Sequence, residues 1–209
     1  MVKELTVTGV FIENTYFYID DKTGAGFLID PGAQADLIYS IIRQNGWKIE
    51  KILLTHGHMD HIGAVTYLQQ HLNIPVLIHG DDELYLKDPY YNLSGNYGRG
   101  IIIEGYQLLK DNDRIKLDEN PEFYLDVIHT PGHTPGSVVF YSPKDKLAFV
   151  GDTLYQHGPG LTNFPGGNRR DLEISLIEKV LSLPKDTLLY SGHSTPITVG
   201  EERKLLLGR

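Results

Sequence analysis

The sequence predicts an α/β fold, a four-layer αββα sandwich, and three observations predict it. Strand-like and helix-like stretches alternate in two rounds, the strand-like runs are short and apolar, and histidines or aspartates stand directly behind several of them. Ligand sites in open α/β sheets gather beyond the carboxyl ends of strands, so this placement ties the fold to a site.

In the first round, Glu4 to Phe11, Tyr16 to Ile19 and Gly26 to Ile29 read as strands from their β-branched and aromatic content. The last of them ends at Asp30-Pro31-Gly32, a turn signal. Asp36 to Gln44 carries helical periodicity through Leu37, Ile38, Ile41 and Ile42. Lys51 to Leu54 is a buried strand that delivers Thr-His-Gly-His-Met-Asp-His at its end. Ile62 to His71 is the helix behind that motif, Val76 to Ile78 a strand and Asp81 to Leu86 a short helix; His71 and His79 on these elements read as structural. Residues 87–100, rich in Gly, Asn and Tyr, suit either a loop over a site or a solvated connection.

The second round repeats the first. Arg114 to Leu117, Phe123 to Ile128, Ser137 to Tyr141 and Leu147 to Val150 read as strands, Leu172 to Leu181 as a helix ending before Pro184, and Thr187 to Tyr190 as a last strand. A single domain over residues 1–209 is expected, with halves dividing at about residue 110.

Composition narrows the function. With 209 residues and 41% hydrophobic content, the chain can bury a sizeable core. The absence of cysteine excludes disulfides, thiolate metal sites and cysteine nucleophiles. Met1 leads directly into Val-Lys-Glu-Leu with no basic start and apolar run, and no segment approaches membrane-spanning length. The expectation is a cytoplasmic protein without a membrane partner. A net charge of −8, with dense basic pairs only at Arg169-Arg170 and Arg203-Lys204, argues against a nucleic-acid partner. Both pairs read as solvated helix faces.

The residues that carry chemistry are His56, His58, Asp60 and His61, then His133, Asp152 and His193. Imidazole and carboxylate are usual ligands of zinc and related ions. Positions two apart in an extended segment project to the same side, so His56 and His58 can reach one ion while Asp60 and His61 turn toward a neighbour. A zinc-type catalytic site takes about three protein ligands and an open position, so seven candidates are enough for two ions sharing a bridging carboxylate.

These motifs bring a family into view. The stretches Leu28-Ile29-Asp30-Pro31-Gly32, Thr55-His56-Gly57-His58-Met59-Asp60-His61, His129-Thr130-Pro131-Gly132-His133, Gly151-Asp152-Thr153 and Ser191-Gly192-His193 occur in order over nearly the whole chain. The chain resembles the metallo-β-lactamase fold superfamily, and within it the stand-alone glyoxalase II-like (hydroxyacylglutathione hydrolase-like) metallohydrolases. The resemblance implies that His56, His58 and His133 hold one metal, that Asp60, His61 and His193 hold the other, and that Asp152 bridges them. It implies a thioester or similar activated acyl substrate attacked by metal-bound hydroxide, with Asp60 also orienting the water. Zinc is the first expectation for the two divalent ions, with iron and manganese also suited to these ligands.

Other positions carry two readings. Asp30 either accepts a hydrogen bond from a ligand histidine or initiates a turn. His129 reads as supporting the ligands or as structural. Gly132, Gly136, Gly151 and Gly192 let the backbone turn or approach the metals.

Substrate identity departs from the family pattern. Glutathione-thioester hydrolases and persulfide dioxygenases carry a Lys or Arg after the bridging aspartate that helps bind glutathione, and here that place falls to Leu161. Leucine makes no bidentate contact with a carboxylate. With the sequence ending at Arg209, the extra helical domain of long glyoxalase II enzymes is not expected. Tyr155 and His157 lie in the altered loop as candidates for lining the pocket and contacting substrate. Arg99, Arg169 and Arg170 are candidate replacement cations. A persulfide dioxygenase-type oxidoreductase with one iron, a lactonase or other ester hydrolase, and a binding module without turnover are the alternatives. Oligomeric state is not readable.

Overall fold

The computed structural model describes residues 1–208; Arg209, the end of the expected domain, lies outside the described residues. Strands β1 (Val2–Thr8), β2 (Ile12–Ile19) and β3 (Ala25–Ile29) pair antiparallel in succession. Strands β4 (Lys48–Leu53), β5 (Val76–His79) and β6 (Tyr106–Leu109) then add in parallel, completing a six-stranded sheet in chain order. The second half supplies β7 (Arg114–Lys116), β8 (Tyr124–His129), β9 (Val138–Ser142), β10 (Leu147–Gly151), the small hairpin β11 (Leu154–Tyr155) and β12 (Gly158–Pro159), β13 (Leu188–Ser191) and β14 (Ile197–Thr198). Its six-stranded sheet has the order β14-β13-β10-β9-β8-β7, with β10 and β13 parallel.

The sequence pattern explains why these sheets stack. In β2, Phe17 and Ile19 face one cluster while Tyr16 and Tyr18 face another; in β5, Val76 and Ile78 oppose Leu77 in the same way. Period-two alternation with apolar residues on both faces marks a sheet covered on both sides. The outer cluster of the first sheet is closed by Ile38 and Ile42 of helix α1 (Ala35–Asn45) and by Val65 and Leu68 of the helix over Val65–Leu72. In β10, Leu147 and Phe149 point between the sheets, while Ala148 and Val150 meet Leu172, Leu176 and Val180 on the far side. Helix, sheet, sheet and helix layers result, as the pattern predicts.

Several elements differ from expectation. The helix behind the histidine motif is split into α2 (Met59–Ile62) and α3 (Val65–Leu72). The close approach of Gly63 to the Gly32 carbonyl, leaving no room for a Cβ, marks the break. Helix α4 (Glu83–Lys87) follows a 3₁₀ turn over Gly80–Asp82. Helix α5 (Arg169–Ile174) continues as a π-helix through Ser175–Val180. Strands β6 and β14, the hairpin and helix α6 (Val199–Leu207) were not anticipated. β6 is an edge strand with its middle residues exposed, and the shortest strands span only two residues, below the length at which alternation can register. No helix among the described residues is long and apolar enough to cross a membrane.

Candidate metal centre

The chemistry-bearing residues all follow carboxyl ends of strands. Asp30 follows β3, His56 and His58 follow β4, His133 follows β8, Asp152 follows β10 and His193 follows β13. Asp60 and His61 lie on the single turn of α2, whose Met59 amide donates to the Asn92 carbonyl at 2.9 Å. Gly192 lets the β13 loop reach the centre, because a Cβ there would stand 2.5 Å from Asp152 Oδ1 and from the His61 ring.

Hydrogen bonds on the outer ring nitrogens set the tautomers. His133 Nδ1 donates to the Leu161 carbonyl at 2.7 Å, His193 Nδ1 to the Ile12 carbonyl at 2.6 Å and His61 Nδ1 to Asp30 Oδ2 at 3.0 Å. The Thr55 hydroxyl donates to Asp30 Oδ2 at 2.6 Å, so it accepts from His56 Nδ1 at 3.1 Å. Each of these four rings therefore turns its Nε2 inward. Asp30, held left-handed at φ 47°, also accepts the Thr55 amide at 2.7 Å.

The inward atoms form two groups. His133 Nε2 lies 2.8 Å from His58 Nδ1 and 3.2 Å from His56 Nε2. His193 Nε2 lies 3.2 Å from Asp60 Oδ2 and 3.4 Å from His61 Nε2. Asp152 stands between them, Oδ2 at 3.7 Å from His133 Nε2 and 3.3 Å from His193 Nε2, Oδ1 at 3.3 Å from His61 Nε2. Lone pairs this close repel unless a proton or cation lies between them. Asp152 Oδ1 is buried without a hydrogen-bond partner. A convergent set of imidazole nitrogen and carboxylate oxygen donors, with one orphaned carboxylate oxygen, fits divalent metal ions.

Electrostatics separates the groups. Burial holds His56 and His58 well below the usual histidine value and His133 below it, so all three are neutral. Burial opposes charge on His61 and His193 as well, but the Asp152 and Asp60 carboxylates outweigh it and raise both, His193 to about 10. Burial likewise acts to raise Asp152 and Asp60, yet His61 and His193 hold both below the ordinary carboxylate value.

The remaining candidates divide. Tyr155 lines the cavity over the centre, and its hydroxyl donates to Asp152 Oδ2 at 2.7 Å. His157 does not line this cavity: it stands on the exposed hairpin turn at φ 70°, its amide donating to Glu202 Oε2. A two-residue hairpin places its turn away from the floor, which sequence could not reveal. His129 touches none of the seven; it donates to the Pro135 carbonyl at 2.8 Å and stacks on His79 at 4.0 Å. Arg99, Arg169 and Arg170 do not line the cavity either, and Arg169 pairs with Glu173. The 87–100 loop does cover the site, contributing Leu93, Asn96 and Tyr97.

Two buried acids escaped sequence reasoning. Asp82 accepts the Gly57 amide at 3.0 Å, the Thr134 hydroxyl at 2.8 Å and the Gly136 amide at 2.7 Å. It therefore ties the loop of His56 and His58 to the loop of His133. Burial pushes its carboxyl up to about 7 against those three bonds. Glu13 lies 3.9 Å from His61 Nδ1 with Oε1 unpartnered, and burial raises it well above the usual value. Neither residue sits in a recognisable motif, and a lone acid in sequence reads as a solvated one.

Comparison with known proteins agrees with this geometry. The sequence model of the Metallo-beta-lactamase superfamily matches residues 8–193. The chain is 37% identical to the Probable metallo-hydrolase YqgX of Bacillus subtilis, covering 91% of this chain and 89% of that one. It is 31% identical to Hydroxyacylglutathione hydrolase GloC of Haemophilus influenzae, covering 96% and 94%. Among solved structures, BLEG-1 B3 metallo-beta-lactamase superposes with a TM-score of 0.91 at 34% identity, covering 98% and 97%. TTHA1623 in a di-iron-bound form gives 0.85 at 32%, covering 97% and 98%.

Proposed function

Because the chain belongs to the metallo-β-lactamase superfamily, we propose that it is a dinuclear-metal hydrolase of the glyoxalase II type, cleaving a thioester or similar activated acyl bond of a small molecule. The observation that carries this reading is the pair of inward-facing donor groups sharing Asp152. A hydroxyacylglutathione hydrolase of similar length supports the reaction class, and a di-iron relative supports two ions. Zinc is the ion we assign first, with iron as the competing occupant.

In this reading His56, His58 and His133 would hold one ion, Asp60, His61 and His193 the other, and Asp152 would be shared between them. Bound divalent ions supply Lewis acidity and lower the pKa of water from about 15.7 toward about 7. Asp60 lines the cavity as an ionised carboxylate and orients the attacking water. Tyr155 stays protonated, since burial and Asp152 both raise it, and its hydroxyl orients the Asp152 carboxylate between the two donor groups. Asp30 fixes the His61 tautomer directly and that of His56 through Thr55.

Purified protein should carry close to two metals per chain and hydrolyse a thioester, and Asp152→Ala should lose at least one metal and about 10³-fold or more in kcat/KM. Metal analysis with thioester, lactone, β-lactam and persulfide substrates checks this. A metal-replete enzyme inert to every acyl substrate, or one iron per chain with oxygen uptake on a persulfide, would sink it.

A further inference from the structure

The cavity over the centre has a volume of about 600 Å³, enough for a ligand well beyond a small acyl group. Its walls are made by Phe11, Ile12, Leu93, Tyr97, Leu161 and Phe164. Several are large apolar side chains left open to solvent: Ile12 is 64% exposed, Leu161 53%, Tyr97 48% and Phe11 41%. Apolar surface of this kind around a concave site marks the place where a ligand is covered. Phe11, from the β1–β2 turn, meets Tyr97 edge to face at 5.6 Å, joining two segments into one wall. Phe164 packs against the rings of His58 and His133, at 5.3 and 5.9 Å.

No lysine or arginine lines this cavity among the described residues. Leu161 is anchored there by its own backbone, since its carbonyl holds His133 Nδ1. A ligand carrying carboxylates along this wall, away from the centre, would shed water from them without gaining a lysine or arginine partner.

We infer that the substrate is an uncharged acyl compound whose acyl or leaving group is apolar, aromatic or branched aliphatic, seated on the wall of Phe11, Tyr97, Leu161 and Phe164. The inference rests on the hydrolase reading and names its substrate class. Binding of inert analogues separates the two, because it needs no turnover.

Metal-loaded protein is titrated by calorimetry with the benzyl thioether of N-acetylcysteamine, which is uncharged, and with S-benzylglutathione. The uncharged ligand should bind at least about tenfold tighter, the discrimination typical of unpaired polar groups at a site. A smaller ratio, or binding of neither, overturns the inference, whatever the thioesterase assays show. Leu161→Arg should shift the ratio about tenfold toward S-benzylglutathione. Phe11→Ser, on the outer rim, should weaken the uncharged ligand several-fold. If metal-replete Leu161→Arg leaves the ratio unmoved and metal-replete Phe11→Ser leaves the affinity of the uncharged ligand unmoved, the wall is not the binding surface.

Discussion

At the residue scale, the two donor groups should answer differently to protons. His56, His58 and His133 are neutral, whereas His61 and His193 are raised above neutrality by Asp152 and Asp60. An ion entering the first group at pH 7 has no proton to displace; one entering the second must displace them. Calorimetric metal titrations in buffers of different ionisation enthalpy should show proton release with one ion and little with the other. Occupancy of the second group should fall as pH drops, about tenfold per unit for each displaced proton.

Asp82 offers a second test at this scale. Its folded pKa is raised from 3.8 to about 7, so its protonated form favours the fold. That contribution is complete below about pH 4 and is lost as pH rises through about 7. Asp82→Asn should flatten this part of the stability profile of metal-free protein in urea titrations. It should also weaken metal binding about 10–100-fold by loosening both histidine loops, read by competition with a chromophoric chelator. The cluster of candidate donors was legible because four ligand-type residues fall within six positions of Thr-His-Gly-His-Met-Asp-His. Asp82 and Glu13 were not, because their importance comes from burial against loops distant in sequence.

At the scale of elements, strands with apolar residues on both faces and helices with a regular stripe were readable from period alone. α1 is an example: Ile38 and Ile42, four apart, face the core, and the chain turns at Gly46. α6 shows why others were missed. Its interior is charged and weakly amphipathic, yet its start carries a capping box, with the Thr198 hydroxyl accepting the Glu201 amide and Glu201 reaching back to the Thr198 amide. Thr198→Ala should cost about 1 kcal/mol in urea unfolding. Thr198 is half-buried and does not line the cavity over the centre, so metal content should not change.

For the whole molecule, the decisive layer lies between the sheets, where Tyr16, Tyr18, Phe27, Phe123, Phe140 and Phe149 interlock. Phe149 touches Tyr16, Tyr18 and Tyr190 at ring distances of 5.3, 5.7 and 5.5 Å. Phe149→Ala should destabilise the protein by about 3–5 kcal/mol, measured by denaturant titration. The layer order was legible because alternation with two apolar faces admits few other arrangements. Of the cavity wall, Leu161 and the 87–100 loop were legible, whereas Phe11 and Phe164 were not, since they come from separate loops that only the packed sheets bring together.

The division of donors between those sheets has a consequence for how the protein matures. His56, His58, Asp60 and His61 come from the first half, while His133, Asp152 and His193 come from the second. Neither half alone offers more than two donors to either group, short of the about three that a tight site needs. An ion bound at either group would therefore report correct assembly, because its donors come together only when the two sheets have docked.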